Sequence, residues 1–185
     1  MPPHDLDAER SVLSSLLLDP RAFHDVALEL RADDFYHPAH QAVYRVMLAV
    51  HEEGRPVDLI TLSEQLNARK QLDQVGGTVF LAELADFAAT AANVTHHAKI
   101  VRDKAVKRRL AAVATEIVES AFEDAGSADE LLDFAESRVF DVSKAQSRST
   151  FQSLHAEMPG TFDYVEAIMN RGGELTGIPT GFRDL

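Results

Sequence analysis

The sequence predicts an all-α protein: a compact helical N-terminal domain, then a long antiparallel helical hairpin, then a separate linker helix. Three observations carry that expectation. Apolar residues recur every three or four positions in one segment after another, the spacing of amphipathic helices. Thirty consecutive residues, Asn93 to Phe122, contain neither Gly nor Pro. Glycines, prolines and serines fall between the periodic segments, at Gly54, Gly76-Gly77 and Gly126-Ser127, where chain reversals are needed.

Residues 1–92 read as a packed helical domain. Leu6, Ala8, Val12, Leu13, Leu16 and Leu17 give a first amphipathic helix, with Asp5 placed to cap it and Asp19-Pro20 to end it. A second helix runs from about Ala22 to Leu30, and Asp33-Asp34-Phe35-Tyr36 reads as a turn whose aromatics anchor on the core. Pro38 opens a third helix, since Pro is tolerated in the first turn; Val43, Val46, Met47 and Val50 form its buried face and Gly54 closes it. Pro56 keeps the next segment extended, and Thr61 is expected to cap Leu62 to Arg69. Gly76-Gly77 breaks the chain before a helix carrying Phe80, Leu81, Leu84 and Phe87.

Residues 93–144 read as the hairpin. In its first arm, Ile100, Val101, Leu110, Val113, Ala114, Ile117, Val118 and Ala121 are expected to form one apolar stripe, with Asn93 as the cap. Thirty helical residues span about 45 Å, longer than a small domain is wide. Gly126-Ser127 makes a tight connection. The second arm, from about Ala128 to Lys144, carries Leu131, Leu132, Ala135, Val139, Phe140 and Val142. A short connection between two amphipathic helices gives an antiparallel pair. Residues 145–152 are polar and Ser-rich, a flexible linker. A linker helix follows over 153–171, with Phe162, Val165, Ile168 and Met169 on a face expected to dock elsewhere. Residues 172–185 read as the start of a further, truncated domain.

Composition narrows the function classes. Among 185 residues there is no cysteine, which excludes disulfide scaffolds and thiolate metal sites. No apolar run reaches the roughly 18 to 20 residues needed to span a bilayer, and MPPHDLDAER lacks a signal-peptide core, so a soluble intracellular protein is expected. A net charge of -12 disfavours nucleic-acid binding over the whole surface. The charge is segregated, however. Residues 99–109 hold Lys99, Arg102, Lys104, Lys107, Arg108 and Arg109 against Asp103, a balance of +5, whereas residues 116–141 hold nine acids against Arg138, a balance of -8. Cations first and acids last oppose the helix dipole, so the charges are expected to answer to something outside their own helix. An acidic protein partner fits the basic block. The alternative is a helical nucleic-acid-binding regulatory module using residues 99–109 against phosphate, though no interleaved aromatics supply a stacking platform.

Catalytic patterns are not found. No GxxxxGK[ST] stands in the chain to cradle a phosphate. His96-His97 are adjacent on a helix and diverge by about 100°, so they read as surface or interface residues. His37, Pro38 and His40 beside Asp34 read as a capping and packing cluster rather than a metal site. No catalytic, cofactor or metal residue is assigned within the 185.

In order along the chain, Pro2-Pro3, Ala8-Glu9, Ser11-Val12-Leu13, Asp34-Phe35-Tyr36 with His40, Gly54 with Pro56-Val57-Asp58, Gly76-Gly77, Ala92-Asn93-Val94, Ile100-Val101, Arg109-Leu110 and Thr176-Gly177-Ile178-Pro179-Thr180-Gly181-Phe182 resemble bacterial replicative DNA helicases of the DnaB type. The resemblance covers their N-terminal domain and interdomain linker, with residues 172–185 leading into a RecA-like ATPase domain. Ser14 stands where that family often has Gly, and His97 where it often has Tyr. The resemblance implies a full-length ATP-dependent helicase that unwinds duplex DNA at the replication fork, in the bacterial cytoplasm and without membrane contact. ATP and Mg²⁺ would belong to the motor domain. It implies self-association as dimers within a hexameric ring through which single-stranded DNA passes, docking of the C-terminal helicase-binding domain of primase, and action by a helicase loader. For the oligomer and partner interface, Ile100, Arg102, Lys107, Arg109, Val113, Ile117, Leu131 and Phe140 are the residues selected; Phe162, Val165, Ile168 and Met169 are selected for linker-helix docking.

Overall fold

The computed structural model describes residues 1–88, 90–123 and 126–146, all of them within one compact unit. Among the described residues there are helices and turns and no strand, as the periodicity predicts. The linker 145–152, the linker helix 153–171 with Phe162, Val165, Ile168 and Met169, and the segment 172–185 fall largely or wholly outside the described residues.

Helix α1 spans Leu6–Leu18, and the Asp5 carboxylate accepts the Ala8 N–H to cap it. Asp19 ends α1 and caps a 3-10 turn, Pro20–Ala22, that leads into α2, Phe23–Glu29. A second 3-10 turn, Ala32–Asp34, carries the aromatics Phe35 and Tyr36 toward α3, Pro38–Glu52. Gly54 ends α3 with a φ of +69°, and the Arg55 N–H reaches back to the Val50 carbonyl, closing the last turn. Helix α4, Leu59–Ala68, begins three residues before the expected start. Its cap is Asp58, whose carboxylate accepts the Thr61 N–H at 2.8 Å. Thr61 therefore sits in the first turn and is not the cap: Asp58 is still in extended backbone after Pro56, which is the geometry a capping side chain needs.

Helix α5 spans Gly77–Ala85, and α6 spans Val94–Phe122, a rod of about 43 Å. Phe87 lies beyond the end of α5 and is partly exposed. Asn93 occupies the capping position of α6 without a side-chain cap bond. Helix α7 spans Ala128–Gln146 and returns along α6. Its start is a reciprocal cap: the Glu130 N–H donates to the Ser127 hydroxyl at 3.2 Å, and the Ser127 N–H donates to the Glu130 carboxylate at 2.8 Å.

The core gathers Val12, Leu13 and Leu16 of α1, Phe23 and Val26 of α2, Tyr44 and Met47 of α3, Leu62 and Leu66 of α4, and Leu81 and Leu84 of α5. It also takes in Val94, Ala98 and Val101 of α6. The first half of α6 is thus part of the globular body, across the 92/93 boundary that the sequence suggests. Small residues Ala98 and Ala105 let α6 lie close along α1, its main neighbour in the body. Ser14, buried in α1, accepts the Ala88 N–H at 3.0 Å and donates to the Ala85 carbonyl at 3.1 Å, so its hydroxyl fastens the end of α5 to α1. Among the described residues no helix is long and apolar enough to cross a membrane.

Candidate protein interface

The single apolar stripe expected along α6 divides into two seams and an open row. Val94, Ala98, Val101 and Ala105, at spacings of four and three, are buried in the body. Val113, Glu116, Ile117 and Ser120 are buried or half-buried on the side toward α7. From α7, Leu131, Ala135, Arg138 and Val142 answer at the same spacings, and the Arg138 guanidinium donates to the Glu116 carboxylate at 2.9 Å. What remains is a row of residues four apart on α6: Leu110, Ala114, Val118 and Phe122, all exposed. On α7, Leu132, Val139 and Phe140 are likewise exposed.

These two open rows share one side of the hairpin. Followed in the chain direction, each lies about a third of a turn past the row that faces the other arm. Because the arms are antiparallel, the same rotation along opposite chain directions carries both rows to the same side. Phe122 is 86% exposed and Phe140 64%, so the side presents large apolar side chains of the kind that mark an interaction surface. Glu119, Glu123, Glu130 and Asp141 lie on the opposite side by the same geometry. Glu136, one turn from both Leu132 and Phe140 and lining one groove with Val139 and Phe140, interrupts the apolar side with a charge.

The basic block of α6 is largely engaged within the chain. Arg102 donates to Glu29 of α2 at 2.6 Å, and Lys107 to Asp103 one turn back at 2.7 Å. Arg109 bonds the Asp34 carboxylate, which also accepts the Arg31 N–H at 2.7 Å. Arg108 donates to the carbonyls of Pro3 and Asp34 and lies over the Tyr36 ring, 5.5 Å from its centroid. Burial pushes the Arg108 guanidinium below its ordinary range, against the pull of Glu9 and Asp34. Cations that oppose their own helix dipole thus answer acids and carbonyls of the globular body.

Beneath Arg108 lies a buried polar cluster. Glu9, 1% exposed, accepts the Tyr36 N–H at 2.6 Å, the His37 N–H at 3.3 Å and the His40 ring at 2.7 Å. An ionised carboxylate only accepts, so His40 carries its proton on Nδ1. His37 caps α3: its Nδ1 accepts the Ala39 N–H at 3.2 Å. Burial first, then the neighbouring His40 ring and Arg10, hold the His37 imidazole below its ordinary pKa, with Glu9 pulling the other way.

Of the residues selected from sequence, Ile100 packs partly buried on the core, Val113 is buried, and Ile117 and Leu131 are half-buried between the arms. Arg102 and Arg109 bond the body. Lys107 and Phe140 are exposed. The eight therefore do not form one surface. Leu110, Val118, Leu132 and Val139 were present in the periodicity and Phe122 was not picked out; spacing alone does not say which apolar row stays open. Glu9 and His37 carried no pattern that marked them as bonded to one another, and none marked Arg108 as bonded to the Pro3 and Asp34 carbonyls. His97, singled out as a departure from the family, has a buried Nδ1 without a hydrogen-bond partner among the described residues.

Comparison with known proteins agrees with this architecture. Residues 1–103 match the family model described as the DnaB-like helicase N terminal domain. The replicative DNA helicase DnaB of Geobacillus stearothermophilus is 41% identical over the whole chain, and the replicative DNA helicase DnaC of Bacillus subtilis is 37% identical over the same span. The chain spans 41% of the length of each of these relatives. The crystal structure of the N-terminal domain of DnaB helicase from Mycobacterium tuberculosis superposes with a TM-score of 0.73 at 41% identity, over 77% of this chain and 99% of that one. A DnaB-like replicative helicase, described with its interactions with primase, shares the fold with a TM-score of 0.67 at 24% identity, over 96% of this chain and 38% of that one. On the match over its first 103 residues and this shared all-α fold, the chain belongs to the DnaB-like helicase N-terminal domain family.

Proposed function

We propose that this chain is the collar and linker portion of a hexameric replicative DNA helicase and serves as an oligomerisation and docking module. The observation that carries the reading is the open apolar face of the hairpin, with Leu110, Val118 and Phe122 on one arm and Leu132, Val139 and Phe140 on the other. Apolar surface is worth about 25 cal/mol per Å² when removed from water, so a folded hairpin that leaves two phenylalanines exposed gains by covering them. Glu119, Glu123, Glu130 and Asp141 lie on the other side, away from the pairing surface, and Glu136 is the acid that sits within it. A second copy of the hairpin is the occupant this reading assigns to the face. Family membership supports the helicase setting.

On this reading primase docks on the assembled hairpins through its C-terminal helicase-binding domain, and a helicase loader acts on the same collar. ATP hydrolysis and movement along single-stranded DNA belong to a motor domain that follows residue 185, and the linker face at Phe162, Val165, Ile168 and Met169 docks on it. Mass measured by light scattering, together with binding to the isolated primase domain, tests the module. A multimer that retains primase is expected. A strict monomer that ignores primase would overturn the proposal.

A further inference from the structure

The charge that interrupts the open side of the hairpin belongs to a patterned row. Leu132, Glu136, Phe140 and Lys144 stand four apart on α7, and all are exposed. Rows at this spacing are the ridges with which helices pack against one another. Glu136 and Lys144 lie about 12 Å apart along the helix, too far to pair with each other. Among the described residues neither makes an ion pair. On α6 the matching ridge is Val106, Leu110, Ala114, Val118 and Phe122, also four apart. The bond between Arg138 and Glu116 sets the alignment of the two antiparallel arms. Counting outward from it, Ala114 lies level with Phe140, Leu110 with Lys144 and Val118 with Glu136.

We propose, resting on the pairing of hairpins through this face, that the second copy lies antiparallel across a two-fold axis at the level of Phe140 and Ala114, so that each Glu136 carboxylate meets the Lys144 ammonium of the other copy. A two-fold interface is self-complementary: where one residue meets a second, the second meets the first. An axis that crosses both arms keeps each arm opposite its own copy with the direction reversed, so residues equally distant from the axis meet. Glu136 and Lys144 are each four residues from Phe140, and Leu110 and Val118 each four from Ala114. The same axis brings Phe122 to Val106. One operation therefore joins acid to base twice on α7 and apolar to apolar along α6. Phe140 meets its own copy at the centre, where buried aromatic anchors carry most of an interface's energy. Ala114, the smallest side chain of its ridge, leaves room beside it.

The other two-fold arrangement has its axis along the arms. The hairpins then run parallel, and α7 of one copy faces α6 of the other at the same level. Glu136 would face Val118 and Lys144 would face Leu110, so two charges per copy would lose water against apolar side chains, which is costly. Charge complementarity selects the antiparallel copy.

The full chain carrying E136K or K144E, alone and in equimolar mixture, tests the register by sedimentation with far-UV helicity alongside. Each single substitution sets like charges opposite each other twice in a pair of identical copies and is expected to weaken self-association about tenfold or more. Mixing the two variants is expected to restore it, because every base of one chain then meets an acid of the other; E136K combined with K144E in one chain associates like the parent for the same reason. Cysteines give a second measurement that does not depend on charge. In a chain otherwise free of cysteine, E136C and K144C are expected to form an interchain disulfide when mixed and oxidised, and neither to do so alone. If the parent self-associates but the single charge substitutions leave its mass unchanged, or the mixture fails to recover, the register is overturned while the pairing of hairpins stands. A monomeric parent, or a face that takes a different protein in place of a second copy, overturns the pairing and the register with it.

Discussion

Glu9 of α1 and His40 of α3 meet at 2.7 Å with both side chains almost wholly out of solvent, 31 residues apart in sequence. The same carboxylate accepts two backbone N–H groups from the turn before α3, so three donors depend on it. Glu9→Ala leaves the buried His40 ring and two part-buried N–H groups without an acceptor, and one buried group left unsatisfied costs about 1–3 kcal/mol, so the three together cost about 3 kcal/mol or more. Urea unfolding of the variant is expected to show a loss of that size, with Glu9→Gln intermediate because its amide oxygen still accepts. A Glu9→Ala variant within about 1 kcal/mol of the parent would mean the cluster carries little of the fold.

Ser14 provides a separate check on how α5 is held. Its hydroxyl serves the Ala88 N–H and the Ala85 carbonyl together. Ser14→Ala strips both bonds in a buried setting and is expected to cost about 1–3 kcal/mol by chemical denaturation. Ser14→Gly, which strips the same two bonds, loses about a further 1 kcal/mol in a helix interior. If both substitutions are silent, the bridge is not a source of stability.

Lys70 follows the last turn of α4 with a φ of +56°, a conformation that suits glycine, and the Gln71 N–H closes the motif on the Leu66 carbonyl. A left-handed non-glycine residue is strained by about 1–2 kcal/mol, part of which the looser unfolded state of a glycine cancels. Lys70→Gly is therefore expected to raise the urea midpoint slightly, by up to about 1 kcal/mol of stability, with an unchanged slope. A lowered midpoint would show that the lysine side chain contributes more than its backbone costs.

The two faces of the hairpin make opposite predictions. Phe122→Asp combined with Phe140→Asp places charge at both ends of the open apolar rows and is expected to lower the mass of the assembly while leaving far-UV helicity intact, since both side chains are already largely in solvent. Glu119→Lys on the acidic face is expected to leave the mass unchanged. Sedimentation of the two variants side by side decides the matter: if the acidic-face change dissociates the assembly and the apolar-face change does not, the proposed pairing surface is on the wrong side.

Helix α6 shows how far the sequence reaches. Its length, its neighbours Gly76-Gly77 and Gly126-Ser127, and the presence of apolar rows were all legible, because 3.6-residue periodicity and the intolerance of helices for glycine and proline act locally. The Asp5 cap and the Gly54 stop were legible for the same reason, and the ordered motifs from Pro2-Pro3 to Phe182 were enough to indicate the family. The start of α4 was misplaced by three residues because Asp58 and Thr61 are both good capping types, and the choice depends on which one the extended chain after Pro56 leaves free.

Local periodicity, capping chemistry and ordered motifs were therefore enough to specify the helices and the family. Where the basic block goes depends on packing between helices. Arg102 finds Glu29 at a separation of 73 residues, and Arg109 finds Asp34 at 75. Spacings of three and four describe one helix and carry no information about such partners. Packing α6 along α1 brings those acids within reach, and packing α7 against α6 covers one apolar row and leaves the other open. Periodicity reports that a row is apolar; only the neighbouring helix determines whether water or protein lies against it.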